Sequence, residues 1–220
     1  METDVIRKQD SLDYHALGRP GKIGIQPTKS CLTPRDFRMA YLPGATFPAE
    51  AIAADERETF RYTSRGNLVG VFTDGSAVPG LGNVGPHAAK PMQEGMAILF
   101  KRLADIDVFD LELNPSEVDC FVATVQQLEP TFGAVNLKDI QAPHGLEIYD
   151  ALRKTVAIPV FHENLYSTAV VASAALINAL ELVDKHMVDL RVIICGAGTV
   201  GIGCARLLRR LGVTAENCLM

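Results

Sequence analysis

The stretch Val192-Ile-Ile-Cys-Gly-Ala-Gly-Thr-Val-Gly201 decides the fold class of this chain. An apolar strand is predicted over residues 190–195, and a helix is predicted over residues 202–211. The glycines between them form the pattern Gly-x-Gly-x-x-Gly, which in this context is typical of a dinucleotide-binding turn. The first glycine permits a tight turn, the second lets a pyrophosphate approach the backbone, and the third lets the helix pack on the strand. These candidate cofactor-binding residues are Gly196, Gly198 and Gly201.

Upstream of this turn, predicted strands alternate with predicted helices. The strands lie near residues 68–72, 106–113, 134–137 and 158–161, with apolar helical periodicity between them. Such alternation is typical of an α/β fold with a largely parallel sheet. We expect an N-terminal domain over residues 1–160 and the start of a Rossmann-type dinucleotide-binding domain over residues 161–220. The second domain is expected to be truncated, because the acidic residue that holds the ribose belongs about 20 residues after the motif.

Composition narrows the class of protein. The 220 residues carry a net charge of −5 and no basic block, which argues against a nucleic-acid partner. The longest apolar stretch, residues 169–183, is interrupted by polar side chains, so we expect no membrane segment. Five cysteines without a Cys-x-x-Cys pair favour a reducing compartment, and the N-terminus lacks a hydrophobic signal region. We expect a soluble cytoplasmic protein.

The first sixty residues are predicted to form an extended arm followed by two helices. Gly and Pro residues punctuate positions 1–30, which predicts an extended arm. Thr33-Pro34 predicts a helix start, with Asp36 at the acidic position of a capping box. This helix is expected to end at Tyr41, before Pro43-Gly44. A polar helix is expected near residues 49–60.

Further along, a second literal Gly-x-Gly-x-x-Gly pattern comes before a helix. Its apolar residues fall at helical spacing and predict one continuous buried face, made of Met92, Met96, Leu99, Phe100 and Leu103. Ser116 is expected to cap the next helix, and a long Ala-rich helix is expected over residues 168–184. The glycines of the second pattern, further candidates for cofactor binding, are Gly80, Gly82 and Gly85.

Polar residues follow two of the predicted strands directly. Lys138 and Asp139 follow one strand, and Glu163 and Asn164 follow another. Because the carboxyl ends of parallel strands lie at one edge of a sheet, these side chains are expected to converge on one cleft.

Many segments between residue 12 and residue 217 follow one another in the order found in a known family. They include Arg19-Pro-Gly-Lys-Ile23, Ala40-Tyr-x-Pro-Gly44, Gly80-Leu-Gly-Asn-Val-Gly85, Asp105-Ile-Asp-Val-Phe-Asp110, Asn136-Leu-x-Asp-Ile140 and Ile158-Pro-Val-Phe-His162. Together these segments resemble the short bacterial type of malic enzyme. The resemblance implies an α/β fold with a malic-enzyme-like N-terminal domain, and oxidative decarboxylation of malate to pyruvate and carbon dioxide. It further implies NAD or NADP, magnesium or manganese, a small dicarboxylate ligand and a homodimer.

The resemblance assigns a role to Tyr41, which matches the family tyrosine that protonates the enol. It assigns the general base to the second lysine of Lys-Pro-Val-Met-Glu-Gly-Lys. In this chain the segment reads Lys90-Pro-Met-Gln-Glu-Gly-Met96, so Met96 occupies the position of the base. A thioether cannot accept the proton.

The metal positions implied by the resemblance are also substituted. Asp139 remains, but Lys138 stands where the family has a glutamate, and Asn164 stands where it has an aspartate. Divalent magnesium and manganese prefer negatively charged oxygen ligands, so metal binding should be weakened.

These substitutions predict a catalytically impaired or inactive chain, acting as a dicarboxylate-binding module or as a partner subunit. A dicarboxylate or keto acid is expected to dock weakly beside Tyr41 and Lys138. An alternative is altered chemistry, in which the Lys138 ammonium polarises a carbonyl in place of the metal. Structurally, Lys138 is expected to pair with Asp139 or Glu163.

Overall fold

A computed structural model describes residues 6–220, in which nine α-helices and six strands are found. The helices are Lys8–Ala16 (α1), Pro34–Ala40 (α2), Thr46–Ala54 (α3), Thr59–Tyr62 (α4), Gly85–Ala104 (α5), Val118–Leu128 (α6), His144–Thr155 (α7), Glu163–Leu182 (α8) and Thr199–Arg210 (α9). The strands are Leu68–Thr73 (β1), Asp107–Glu112 (β2), Ala134–Leu137 (β3), Val160–His162 (β4), Val192–Ile193 (β5) and Cys218–Leu219 (β6).

The first sheet is parallel and has the strand order β2-β1-β3-β4. Val69 of β1 lies opposite Val108 of β2 and Ala134 of β3, and Val135 of β3 lies opposite Val160 of β4. Helices α5, α6 and α7 connect successive strands of this sheet, as parallel pairing requires. The predicted α/β class with a parallel sheet is confirmed.

The main core joins this sheet to α6 and α7. Phe121, Val122 and Val125 of α6 are buried, as their helical spacing predicts. The rings of Phe72 and Phe132 meet edge to face in the same core, with their centroids 5.9 Å apart. These buried side chains hold the strands of the sheet in place. The candidate site lies at the carboxyl ends of those strands.

The second unit begins with α8 and contains the predicted glycine turn. Val192 of β5 pairs in parallel with Cys218 of β6, and α9 starts directly after the turn. Helix α8 packs on α9 so closely that a Cβ at Gly203 would lie 1.9 Å from the carbonyl oxygen of Leu165. Strand β4 pairs with β3 up to His162, so the first sheet extends two residues beyond the predicted domain boundary at residue 160.

Two expectations about the N-terminal region are corrected, and one is confirmed. Residues 8–16 form a helix instead of an extended arm, because the Gly and Pro punctuation begins only at Gly18 and Arg7 pairs with Asp10 on the first turn. The helix expected over 49–60 is broken after Ala54, where the Asp55 carboxylate accepts a hydrogen bond from the Arg57 backbone N–H. The capping box of α2 forms as predicted, and Tyr41 is the residue at its C-terminal cap.

The predicted buried face of α5 is wrong. Its buried residues are Ala89, Gln93 and Ala97, whereas Leu103 is 82% exposed and Met92 and Leu99 are exposed too. The buried residues lie at i, i+4 and i+8, and the two alanines allow α5 to approach the sheet closely on either side of Gln93. Met96 is half-buried and directly precedes Ala97, the last residue of the buried face, in the sequence.

Two helix starts also differ from expectation. Glu117, not Ser116, is the N-cap residue of α6, and no side chain caps this end. Helix α8 begins at Glu163, five residues before the predicted start, because the chain passes from β4 into the helix without a loop. Glu163 is thus the first residue of a helix.

Helix α8 is long and apolar enough to cross a membrane by length and composition alone, with a mean hydropathy of 1.5 in an 18-residue window. Core helices of soluble proteins pass the same test. Its residues Leu165, Ala169, Ser173 and Leu180 are buried within the structure. The expectation of no membrane segment stays a prediction.

A buried tyrosine pair gives the stability of the chain a pH dependence. The hydroxyls of Tyr149 and Tyr166 are hydrogen-bonded, and burial together with this bond raises the pKa of Tyr149 to about 12. Because the unfolded pKa is about 10, this contribution to stability is complete below pH ~10 and is lost as the pH rises towards 12. We expect the free energy of unfolding to fall more steeply over this range in the wild type than in Tyr149→Phe, as measured by urea denaturation. Tyr14→Phe, at a ring that is 67% exposed, is the control and should follow the wild type. Parallel curves for Tyr149→Phe and the wild type would contradict the assignment.

Candidate functional site

Polar side chains collect at the carboxyl edge of the first sheet. Asp74 follows β1, Lys138 and Asp139 follow β3, and Glu163 follows β4. Asp74, Lys138 and Asp139 are all buried. Of the four residues expected to converge, Lys138, Asp139 and Glu163 are in direct contact, as predicted. The fourth, Asn164, lines a neighbouring cavity and makes no described hydrogen bond to them.

The Lys138 ammonium lies at the centre of this group. Its Nζ donates a hydrogen bond to Glu163 Oε1 at 3.0 Å, and it lies 3.0 Å from Glu163 Oε2 and 3.6 Å from Asp139 Oδ1. The residue is only 6% exposed. The expected pairing of Lys138 therefore involves both carboxylates.

Asp139 is held from several directions. It is 0% exposed, and its φ of 56° places its backbone in the left-handed region. Its carbonyl oxygen accepts a hydrogen bond from the Ala77 N–H at 2.9 Å. Its Oδ2 accepts a hydrogen bond from Gln93 Nε2 at 2.9 Å. We call Gln93, Lys138, Asp139 and Glu163 the ammonium cluster.

Gln93 is a site residue that the sequence analysis missed. A signal was present in the sequence, because Gln93 stands where the resembling family motif has a methionine. A buried amide on a helix face lined by alanines needs a polar partner, which here is Asp139.

A divalent metal does not fit the ammonium cluster. Two carboxylates and one ammonium give a net charge of −1, and the ammonium already contacts the oxygens that a metal would need. Among residues 6–220, no group of three or more His, Cys, Asp or Glu side chains is arranged to hold a metal ion. In Asp139, the predicted ligand, Oδ2 accepts a hydrogen bond from Gln93, whereas Oδ1 has no hydrogen-bond partner among the described residues.

His162 lies beside this cluster as a neutral, buried ring. Burial lowers its pKa to about 4, and neither ring nitrogen has a hydrogen-bond partner within the described chain. A Cβ at Gly145 would lie 3.1 Å from His162 Nε2, so the ring packs closely against the start of α7. His162 is therefore a packed core residue.

Tyr41 and Met96 do not join the ammonium cluster by any described hydrogen bond. The Tyr41 ring is 73% exposed at the end of α2. Its hydroxyl makes no hydrogen bond to any of residues 6–220. Met96 lies on α5, three residues after Gln93, and brings no titratable group to the site.

The glycine turn of residues 196–201 has the backbone geometry that phosphate binding needs. Gly196 has a φ of +117°, a Cβ at Gly201 would lie 2.0 Å from the Gly196 carbonyl oxygen, and Gly198 has no atom within 4 Å of an added Cβ. The predicted packing role of Gly201 is therefore confirmed. A cavity of about 460 Å³ borders this turn, and Asn164 lines it. The N–H groups at the start of α9 face the turn and can bind an anion.

The glycine turn of residues 80–85 joins β1 to α5. Gly80, Gly82 and Gly85 all have positive φ, with values of 77°, 73° and 78°. The Val78 N–H donates to the Gly82 carbonyl oxygen and closes the turn. Cofactor binding by these three glycines stays a prediction.

The parallel sheet followed by a glycine turn and helix defines an α/β protein with the beginning of a dinucleotide-binding domain. Comparison with known families specifies this class further. Residues 20–117 match the malic enzyme N-terminal domain, and residues 165–218 match the malic enzyme NAD binding domain. The chain belongs to the malic enzyme family.

Individual relatives agree with this assignment. The NADP-dependent malic enzyme of Escherichia coli is 45% identical over 213 residues, covering 97% of this chain and 28% of that protein. The NAD-dependent malic enzyme of Rhizobium meliloti is 45% identical over 209 residues, covering 95% and 27%. The crystal structure of malic enzyme from Pyrococcus horikoshii superposes with a TM-score of 0.93 at 39% identity, covering 96% and 49%. The chain thus spans little more than a quarter of these curated relatives and about half of the solved structure.

Proposed function

We propose that this chain is a non-catalytic member of the malic enzyme family that acts as a partner subunit. The observation that carries the proposal is the ammonium cluster, in which Lys138 occupies the place that the family resemblance gives to a metal ligand. The chain would bind no divalent metal there, so the step that the metal supports in the family would be absent.

The position of the general base supports the same proposal. Met96 offers a thioether on α5 where the family resemblance places a lysine. Gln93, one turn before it, is committed to a hydrogen bond with Asp139 and cannot act as a base. The position that the family resemblance gives to the general base, and the Gln93 amide beside it, therefore offer no group that can take the hydroxyl proton of malate.

A nicotinamide cofactor is supported for the family by the matched NAD binding domain. In this chain, the part that would hold it is the turn of Gly196, Gly198 and Gly201 with the cavity beside it. We propose weak binding of the pyrophosphate group alone at this turn. Because backbone N–H groups recognise phosphate without reading the ribose, NAD and NADP should bind similarly.

Binding of a small dicarboxylate is the second candidate function. An acid approaching Lys138 would have to compete with Glu163, which already accepts a hydrogen bond from the ammonium. Affinity for malate, pyruvate or oxaloacetate should therefore be weak and sensitive to salt. A free carboxylate can displace the pair only at high concentration.

A thermal-shift panel separates these functions. We expect malate, pyruvate and oxaloacetate, with or without manganese, to change the melting midpoint by less than about 1 °C at millimolar concentration, since a ligand stabilises only in proportion to its binding. Lys138→Met is the matched variant for any acid-dependent shift. A shift produced by an acid without metal, and lost in Lys138→Met, would favour the dicarboxylate module. A shift that needs cofactor and manganese together would overturn the proposal and indicate an enzyme.

We further propose a homodimer in the cytoplasm. Large apolar side chains on and after α2 and α3 are exposed, which is unusual for a monomer. All five cysteines are free, in agreement with a reducing compartment. Sedimentation velocity should give a dimer, and replacing Phe37 and Phe47 by serine should shift it towards monomer. A wild type that sediments as a stable monomer would contradict the dimer. The exposed residues are Phe37, Met39, Tyr41, Leu42, Phe47 and Phe60.

A further inference from the structure

We propose that the Lys138 ammonium is a built-in cation that replaces the divalent metal of the family, and that Gln93 completes the replacement. The inference deepens the proposed function, since it takes the ammonium cluster as the former metal position. It can nevertheless fail alone, because it concerns what the cluster binds and not whether the chain turns over malate. Its basis is that each carboxylate of the cluster is already served by a donor or cation of the chain itself.

The first step is the placement of the ammonium. Lys138 Nζ lies within 3.0 Å of both Glu163 oxygens and 3.6 Å from Asp139 Oδ1. A divalent cation bridging these two acids would need the same volume. The Lys138 side chain is 8% exposed, so the ammonium cannot swing into water without opening the edge of the sheet. Two positive groups cannot share the position, because they repel strongly where water is excluded.

The second step is the orientation of Gln93. Its Nε2 donates to Asp139 Oδ2 at 2.9 Å, and the residue is completely buried. Its Oε1 has no partner within the described residues. Turning the amide over would place Oε1 against the carboxylate, so the Nε2 donor must face Asp139. Of the two oxygens of this carboxylate, Oδ2 accepts the hydrogen bond from the amide, and Oδ1 lies 3.6 Å from the ammonium without a hydrogen bond.

The third step is the consequence for stability. Asp139 is fully buried, and Glu163 is largely covered, with its side chain 22% exposed. Such acids need a positive partner, and removing one member of a buried pair is strongly destabilising. Metal-free stability therefore depends on Lys138. If the ammonium replaces a metal ion, then added manganese should restore the stability that is lost when the Lys138 ammonium is removed.

Manganese binding to Lys138→Met and Lys138→Gln tests the replacement. The free manganese concentration is measured by electron paramagnetic resonance, and the melting midpoint is measured with manganese or with a chelator. We expect the wild type to bind no manganese at millimolar concentration and to melt identically in both conditions. Both variants should melt lower than the wild type with the chelator, and manganese should raise their midpoints by about 3 °C or more. Gln retains a donor for Glu163, so Lys138→Gln is the variant more certain to fold.

The control is Lys101→Met. Lys101 also lies between two carboxylates, 2.6 Å from Asp105 and 2.9 Å from Asp107, but at the surface. Manganese should leave the midpoint of this variant unchanged. Adding Asp139→Asn to Lys138→Gln should abolish the manganese response, which assigns it to the cluster.

Two results would overturn the inference. One is stoichiometric manganese binding by the wild type that Asp139→Asn removes, because the cluster would then accept a metal beside the ammonium. The other is absence of any manganese response in both Lys138 variants, including a failure to fold with manganese present. The first result would also remove the support that metal exclusion gives to the proposed function, whereas the second would leave that function untouched. Whether the wild type oxidises malate is judged separately by the turnover assay.

Discussion

Oxidation of malate by the purified chain, with manganese and NAD or NADP, should be at least about 10⁴-fold slower than by an intact relative. Loss of a general base alone typically costs roughly 10²–10⁴-fold, and loss of a catalytic metal removes several kcal/mol more. Met96 removes the first, and the ammonium of Lys138 removes the second. The measurement is the appearance of reduced nicotinamide, with the Escherichia coli relative assayed in parallel.

Restoring the metal positions and the base position in separate variants distinguishes the loss of the metal from the loss of the general base. Lys138→Glu with Asn164→Asp should recover part of the metal affinity, measured by calorimetry with manganese, while turnover stays absent because Met96 remains. Met96→Lys alone should also stay inactive, since the ammonium cluster still excludes the metal. Turnover within about tenfold of the intact relative, in the wild type or in either repaired chain, would contradict the assignment of these positions.

Gly203→Ala should lower the melting midpoint by several degrees. Helix propensity alone predicts the opposite, because alanine is favoured over glycine in a helix by about 1 kcal/mol. At this position, however, the new Cβ would lie 1.9 Å from the Leu165 carbonyl oxygen, so α8 and α9 must separate. Overpacking of this kind typically costs about 1–3 kcal/mol, and each kcal/mol corresponds to about 2–4 °C in a chain of this length.

Gly198→Ala is the matched control for this prediction. Gly198 has no atom within 4 Å of an added Cβ and has a φ of −79°, which any residue can adopt. Its stability should stay within about 0.5 kcal/mol of the wild type. If Gly203→Ala melts at or above the midpoint of the wild type, the close packing of α8 on α9 is wrong.

The fold class was predictable because it depends on patterns that are local in sequence. The alternation of strands and helices and the turn after β5 both follow from hydrophobic period and glycine spacing. The buried face of α5 was not predictable in this way. Its large apolar residues follow one stripe, but the sheet buries the stripe of Ala89, Gln93 and Ala97, where two alanines allow close approach and Gln93 finds a polar partner.

The sequence predicted most residues of the candidate site, but it did not predict the hydrogen bond that joins Gln93 to them. Strand ends brought Lys138, Asp139 and Glu163 together, as parallel topology requires. The hydrogen bond from Gln93 joins residues 46 positions apart and depends on how α5 lies over the sheet. Asn164, next to Glu163 in sequence, lines the cavity at the glycine turn together with Ala77 and Ile140, which adjoin Asp139. A helix that starts at Glu163 turns successive side chains by about 100°, so Asn164 faces this cavity while Glu163 faces the ammonium.

The small β5–β6 sheet has a consequence for local motion. It pairs only two residues of each strand, and a two-stranded sheet of this kind is marginal on its own. Its persistence depends on the packing of α9 against α8, whereas β1 lies in the middle of four strands. Backbone amides of Val192 and Ile194, which donate to residues 217 and 219, should therefore exchange with solvent far faster than those of β1. The glycine turn of residues 196–201 lies between β5 and α9. When the β5–β6 pair opens, this turn should therefore lose its phosphate-binding shape before the rest of the chain unfolds.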